Sequence, residues 1–315
     1  MKFTIFQKSR QGPRPHNQDS IAYSYSKDAL LVVVADGMGG HLHGEIAARF
    51  ATQMLTEAFQ REANPFLNDP FAFLVEHINA VQTAILDYAA NKELLETPRT
   101  TLVVAIMQHD ELYCVHVGDS RLYHLRDGKV IFCTEDHSKV QLLFRKGLIS
   151  KDDLPRHPER NKVYNCLGAS TPPQPELAIK RALRPGDIVM LCTDGLWSQL
   201  EEEELAEMLS RGAVTDTLPG LMDLAELRAG KYGDNSSAIA LNWGDSDSMQ
   251  NLPEISTATM PMDIKTTIMV LPPERGEDEA SQIVVSDTSE DDLSDEYIES
   301  SIAEIQAAIK KTLSK

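Results

Sequence analysis

Residues 30–44 read LLVVVADGMGGHLHG: six apolar residues, Leu30 to Ala35, run without a break into Asp36 and a glycine-rich loop. A continuous apolar run closed by glycine is the pattern of a strand buried on both faces. An acid at the end of such a strand is aimed by the strand. The construction recurs along the chain. CVHVGDS carries Asp119, IVMLCTDG carries Asp194, and GDNSSAIAL carries Asp234, each an Asp beside a Gly at the end of an apolar run. Asp19 stands ahead of SIAYSY in a similar way.

One Asp-Gly after a strand is ordinarily a turn, because both residues favour turns. Several at the mouths of buried strands are another matter, since clustered carboxylates repel unless a positive charge sits among them. The natural counter-ion is a hard divalent cation, Mg²⁺ or Mn²⁺, which takes oxygen ligands. Zinc is disfavoured: the nine histidines are scattered and no His/Cys set has ligand spacing. A carboxylate-held metal pair activates water and clamps phosphoryl oxygens. The glycine loop fits no nucleotide template. Counted from Gly37, GxGxxG requires Gly where Leu42 stands, and no GK[ST] follows. Gly37, Gly39 and Gly40 instead allow the backbone to approach a metal closely, with a carbonyl free to ligate. Arg14, just ahead of Asp19, is either a solvated surface arginine or a planar fork for a substrate phosphate.

Outward from this stretch, residues 2–6 and 20–25 read as strands flanking the polar loop RQGPRPHNQDS. Helical spacing over 44–63 and from Pro70 to about Leu95 predicts a helix pair. From Thr100 the pattern becomes a strand meander with an Asp127-Gly128 turn. A short helix is expected within 137–149, strands around 178–181 and 188–193, helices at about 201–210 and 216–229, and a last strand after Asp234. Meanders with helices in pairs predict an α+β fold rather than a Rossmann alternation.

The chain has 315 residues, 42% hydrophobic, with a net charge of −18, which disfavours nucleic acid and anionic membrane as partners. From Asp245 onward there are 16 acids and 5 bases, a net of −11 against −7 for the rest, which marks off a tail. The expected domains are 1–244 as the catalytic unit, 245–291 as an acidic, Ser/Thr-rich disordered linker, and 292–315 as an amphipathic helix. The apolar stripe of 293–313 would dock on a partner, on a second copy, or back on the main domain. The segment STATMPMDIKTT, residues 256–267, is a possible kinase target. Cys114, Cys133, Cys166 and Cys192 form no CxxC pair and read as inert thiols. With no leader-like apolar core and no run near the ~20 apolar residues of a membrane span, a cytoplasmic location is expected.

These motifs together resemble a known family. Arg14-Pro-His-Asn-Gln-Asp19, Asp36-Gly-Met-Gly-Gly-His41 with Gly44, Val117-Gly-Asp-Ser120 before Arg121, Cys192-Thr-Asp-Gly-Leu196 and Asp234-Asn235 stand in the order and spacing of the metal-dependent protein phosphatases, the protein phosphatase 2C family. The bacterial branch is the closer likeness, over about residues 1–243. The resemblance implies a four-layer αββα sandwich, two antiparallel sheets flanked by helix pairs, with two Mn²⁺ or Mg²⁺ ions at one end and room for a third. By motif, Asp36 would bridge the two ions and Gly37 offer its carbonyl, while Asp194 and Asp234 hold the first. Asp119 with Asp194 would hold the third ion. Asp19, Gln18 and Asn235 would stand behind the ligands, and Arg14 would take the substrate phosphate. Residues 137–165 fall where bacterial members carry a mobile flap.

The implied activity is hydrolysis of phosphoserine and phosphothreonine in proteins, the targets of a cognate kinase, by water without a covalent intermediate. The alternatives are a phosphoprotein-binding module of the same fold without turnover, and an aspartyl-phosphate hydrolase. The second would want a DxD motif that Asp36-Gly-Met does not supply. Two positions depart from the family pattern, and a third differs from its animal members. Gln18 replaces a Glu, Arg99 replaces a Gly, and Met38 stands where animal members have a proposed general-acid His. His41 is the nearest candidate for that acid, beside the substrate phosphate, or else a cap on the glycine loop.

Overall fold

The computed structural model describes residues 1–38, 43–178, 180–244 and the backbone of 255–259. In chain order, β1 (Phe3–Arg10), β2 (Asp19–Ser26) and β3 (Ala29–Met38) lead to a helix pair, α1 (Gly44–Glu62) and α2 (Pro70–Asn91). A strand group follows: β4 (Arg99–Thr100), β5 (Leu102–Gln108), β6 (Glu111–Val117), β7 (Arg121–Arg126) and β8 (Lys129–Cys133). After α3 (Lys139–Arg145) come the short β9 (Glu176–Leu177) and β10 (Arg181–Ala182), then β11 (Ile188–Cys192). The one-turn α4 (Asp194–Trp197), α5 (Glu202–Leu209) and α6 (Val214–Ala229) precede β12 (Ser236–Trp243) and β13 (Ile255–Thr259).

The strands form two antiparallel sheets. One runs β1-β12-β11-β7-β8, the other β10-β6-β5-β3-β2-β13, with β4 attached to β3 and β9 to β6. β3 explains the packing. Leu30, Val32 and Val34 enter the core between the sheets with Ile21, Val103, Val189 and Ile239. Leu31, Val33 and Ala35 enter a second core under α1 and α2, with Phe50, Leu55, Ile78 and Ile85. A strand covered on both faces needs no polar alternation. Burying each Leu or Val side chain contributes about 1.5–3 kcal/mol. A third core joins Met190, Cys192 and Ala240 to Leu209, Leu218 and Leu221 of the other helix pair. The four layers are therefore helices, sheet, sheet, helices, as the α+β sandwich requires.

Local chemistry explains several boundaries. Asp69 caps α2 by accepting from Ala72 N at 3.1 Å, and Pro70 takes the first helical position, where no N–H partner is needed. Asp127 (φ 51) and Gly128 (φ 74) form the two-residue left-handed turn that joins β7 to β8. α2 stops at Asn91, four residues short of the expected Leu95. The strand expected at 178–181 is split into β9 and β10, both paired with β6.

The linker expectation needs a correction at one place. Within 245–291, residues Ile255–Thr259 form a strand antiparallel to β2, from Ile255 opposite Ser26 to Thr259 opposite Ala22. ISTAT is rich in β-branched residues, and β2 would otherwise end the sheet with unpaired backbone groups. The rest of the expected linker and the helix 293–313 lie outside the described residues. No helix among the described residues is long and apolar enough to cross a membrane. All four cysteines are free thiols, three buried and Cys133 half-buried.

Candidate active site

Antiparallel register brings the acids to one end of the sandwich. Asp36 at the end of β3 lies opposite Asp19 at the start of β2. The end of β11 pairs with the start of β12, Cys192 opposite Ala238, so Asp194 and Asp234 flank that edge of the other sheet. Cys192 also pairs with Arg121, which sets Asp119 on the same rim. Asp19 and Asp119 are buried, while Asp36, Asp194 and Asp234 are partly open to solvent.

Hydrogen bonds from several elements fix the acids and the loop beside them. Thr193 Oγ1 donates to Asp19 Oδ2 at 3.0 Å and accepts from Ser237 N at 3.0 Å. The other oxygen of Asp19, Oδ1, is buried with no hydrogen-bond partner among the described residues. Thr101 N donates to Asp36 O at 2.9 Å, and Thr100 Oγ1 donates to the same carbonyl at 2.9 Å. Asn235 acts on the Arg14 loop: its Nδ2 donates to Gln11 O and His16 O at 2.8 and 2.9 Å. Its Oδ1 accepts from Gln18 N at 2.9 Å. Arg14 Nη2 donates to Asp234 Oδ2 at 2.7 Å. Gln18 Nε2 donates to Glu45 Oε2 of α1 at 3.3 Å.

Gly37 and Gly44 exist for close approach. A Cβ on Gly37 would lie 2.4–2.6 Å from Gly44 C, Gly44 O and Gln18 O, all backbone atoms. The beginning of α1 is thereby pressed against the end of β3. Gly39, Gly40 and His41 lie outside the described residues, so the metal-loop expectation for the two glycines and the acid-or-cap choice for His41 are untouched.

The electrostatics follow from burial and proximity. Burial, then Asp19, Asp194, Asp119 and Asp234, raise Asp36 well above the carboxylate range. Asp119 is likewise raised well above it by burial, then by Asp194 and Asp136. Burial first, then Asp234, push Asp194 up to about 6. Asp19 is pushed up to about 7, again chiefly by burial. Such a set holds protons for want of positive charge, and the orphaned Asp19 oxygen adds an acceptor. Oxygen donors that repel one another suit a hard divalent cation.

A different trio, His116, His137 and Glu176, brings possible ligand atoms within 4.8 Å of one another. Its hydrogen bonds argue against a cation there. His137 Nδ1 accepts from Gly118 N at 3.1 Å and Asn165 Nδ2 at 2.8 Å. Its proton is therefore on Nε2, 3.2 Å from Glu176 Oε2. A metal-bound histidine donates through its other nitrogen, the reverse of this arrangement. The two rings also stack at 22°, so their in-plane lone pairs do not converge.

The Protein phosphatase 2C family model matches residues 7–219. The chain belongs to the protein phosphatase 2C family. Among curated relatives, the serine/threonine phosphatase stp of Listeria monocytogenes is 33% identical over 238 residues, 75% of this chain and 93% of the relative. The solved serine/threonine phosphatase of S. agalactiae superposes with a TM-score of 0.70 at 27% identity, covering 76% of this chain and 99% of that one. The catalytic domain of the serine/threonine phosphatase PstP, solved in complex with 2 manganese ions, gives a TM-score of 0.64 at 31% identity, with 76% and 97% covered. This member of the 2C family is a protein serine/threonine phosphatase.

The fold brings together every described acid that the sequence singled out, Asp19, Asp36, Asp119, Asp194 and Asp234, with Arg14, Gln18, Gly37 and Asn235. Sequence reasoning missed Glu45, Thr193 and the supporting role of Thr100 and Thr101. Glu45 falls one residue past the quoted stretch, so its spacing from Gly44 was the available signal. Nothing in the sequence pairs Thr193 with Asp19.

Proposed function

We propose that this phosphatase hydrolyses phosphoserine and phosphothreonine of proteins at the carboxylate cluster, with water as nucleophile and two Mn²⁺ or Mg²⁺ ions held by Asp36, Gly37 O, Asp194 and Asp234. Asp119 and Asp194 provide for a third. When bound, the ions lower the pKa of water and neutralise phosphoryl charge. The protein's own part is positioning. Asp36 stands at the end of a strand buried on both faces. Asp194 is fixed at the first turn of α4, and Asp234 immediately precedes β12. Asn235 shapes the loop that carries Arg14, and Arg14 presents a planar fork to two phosphate oxygens. Its contact with Asp234 is an exposed pair of small energetic weight, so exchange of partners is inexpensive. The carboxylates are assigned to cation binding, which removes them as nucleophiles. The substrates are phosphoproteins made by a serine/threonine kinase.

The observation that carries this reading is the convergence of Asp36, Asp119, Asp194 and Asp234 at one rim with raised proton affinity in three of them. The test is release of phosphate from a phosphothreonine peptide by wild type and Asp36→Asn, with Mn²⁺ and with excess chelator. Turnover is expected only for wild type with Mn²⁺; chelator-resistant turnover would sink the proposal.

A further inference from the structure

Asp119 follows Gly118, which turns at φ +110, and its side chain lies outside any regular element. What fixes it comes from elsewhere in the chain. Trp197 Nε1 donates to the Asp119 carbonyl at 2.9 Å. Trp197 closes α4, the single turn that Asp194 opens. The indole is therefore a rigid spacer from the backbone of one acid to the turn that carries another.

The spacer is itself held. The Arg121 guanidinium carbon lies 3.4 Å from the centre of the Trp197 ring. Arg121 Nε and Nη2 donate to Asp136 Oδ1 and Oδ2 at 2.7 and 2.8 Å, and Nη1 donates to Tyr123 OH at 3.0 Å. A guanidinium locked by a bidentate carboxylate and stacked on an indole sets the ring's tilt, and with it the direction of the N–H. On the far side, Ser120 Oγ shares a 2.7 Å hydrogen bond with Thr101 Oγ1, whose oxygen also accepts from Asp36 N at 3.2 Å. The peptide of Asp119 is thus tied towards Asp194 through Trp197 and towards Asp36 through Ser120 and Thr101.

We propose that Trp197 is a positioning residue that holds Asp119 in register with Asp194, so that the two carboxylates take one divalent cation together. This rests on the assignment of Asp119 and Asp194 as ligands of the third ion. Trp197 reaches no substrate in this role. It acts through the Asp119 peptide, and its loss would be felt at that ion before it is felt at the pair held around Asp36.

The experiment is Mn²⁺ titration by calorimetry on the chelator-stripped full chain, comparing wild type, Asp119→Asn, Trp197→Phe, and a protein with benzothienylalanine at Trp197. The last keeps the bicyclic ring and replaces N–H by sulfur. Losing one hydrogen bond of ordinary net strength is expected to weaken the weakest Mn²⁺ event about 5-fold in both Trp197 variants. The tighter events should stay within about twofold, the spread of a surface change. Asp119→Asn should abolish the weakest event. If Asp119→Asn abolishes it but both Trp197 variants match wild type, the positioning role is overturned. If the event survives in Asp119→Asn, the ligand assignment fails whatever Trp197 does. A Trp197→Phe protein that also loses its tight sites is misfolded, and the benzothienylalanine protein then decides.

Discussion

Asp19 and Asp36 face each other directly across the β2–β3 ladder. Facing like charges destabilise a strand pair, and these two also feel Asp194 and Asp234. The sheet accepts the conflict because apolar cores on both of its faces hold the strands regardless. The divalent cation proposed for this rim would turn that repulsion into shared attraction, a trade of stability for function.

The trade is measurable as a pH dependence. A carboxyl with a folded pKa above its unfolded one binds protons better in the folded state, so stability falls as pH rises through the folded value. The fall begins near the ordinary carboxylate pKa of about 4 and is complete once pH has passed about 6 for Asp194 and about 7 for Asp19. The chelator-treated protein should therefore melt at a higher temperature near pH 5 than near pH 8. Saturating Mn²⁺ should raise the melting temperature most at the alkaline end. Thermal melts across this range, with and without Mn²⁺, check both signs; a metal-free protein that gains stability towards pH 8 contradicts the account.

Removing one of the charges should separate stability from activity. Asp36→Asn and Asp194→Asn are expected to lower phosphopeptide turnover by several orders of magnitude, since each removes a carboxylate proposed to hold the metal. The same substitutions should raise the metal-free melting temperature at pH 8, because an amide in place of a crowded carboxylate relieves the repulsion. Turnover and melting curves on the same preparations test the pair of signs together.

The strands, the helix pairs and the acids were legible because each leaves a local mark. Leu30–Ala35 announces burial on both faces, and an Asp beside a Gly marks a strand's end at the rim. Contacts between distant stretches leave no such mark. Thr193 under Asp19, Trp197 on the Asp119 carbonyl and Glu45 beside Gln18 depend on register between elements far apart in sequence. The strand Ile255–Thr259 was missed because its acidic surroundings dominate the composition, and its backbone partners come from β2, more than two hundred residues earlier.

Glycine at position 195 is a backbone requirement of the site. A Cβ there would stand 2.0 Å from Asn235 O and 3.4 Å from Asp234 Cβ. Gly195→Ala should push α4 away from the start of β12 and separate Asp194 from Asp234. Overpacking of this kind costs about 1–3 kcal/mol, so a lower melting temperature is expected together with weakened Mn²⁺ binding. Gly128→Ala offers the control: nothing lies within 4 Å of its added Cβ, and although its left-handed turn is strained, Mn²⁺ affinity should match wild type.

Gln18 stands where the resemblance to the family implies a glutamate, and Glu45 shows what the amide does locally. The Gln18 amide donates to Glu45 at 3.3 Å, so a neutral donor stands where a second carboxylate would meet Glu45 head-on. Gln18→Glu should add charge at the rim and tighten Mn²⁺ binding, while the new repulsion lowers the metal-free melting temperature. Adding Glu45→Gln to Gln18→Glu reverses donor and acceptor and should recover that stability while keeping most of the gain in affinity. Calorimetric Mn²⁺ titration and metal-free melts on the two single variants and the double one form a closed cycle. A cycle in which Gln18→Glu leaves Mn²⁺ affinity unchanged would remove Gln18 from the metal's surroundings and leave it as the clasp between the Arg14 loop and α1.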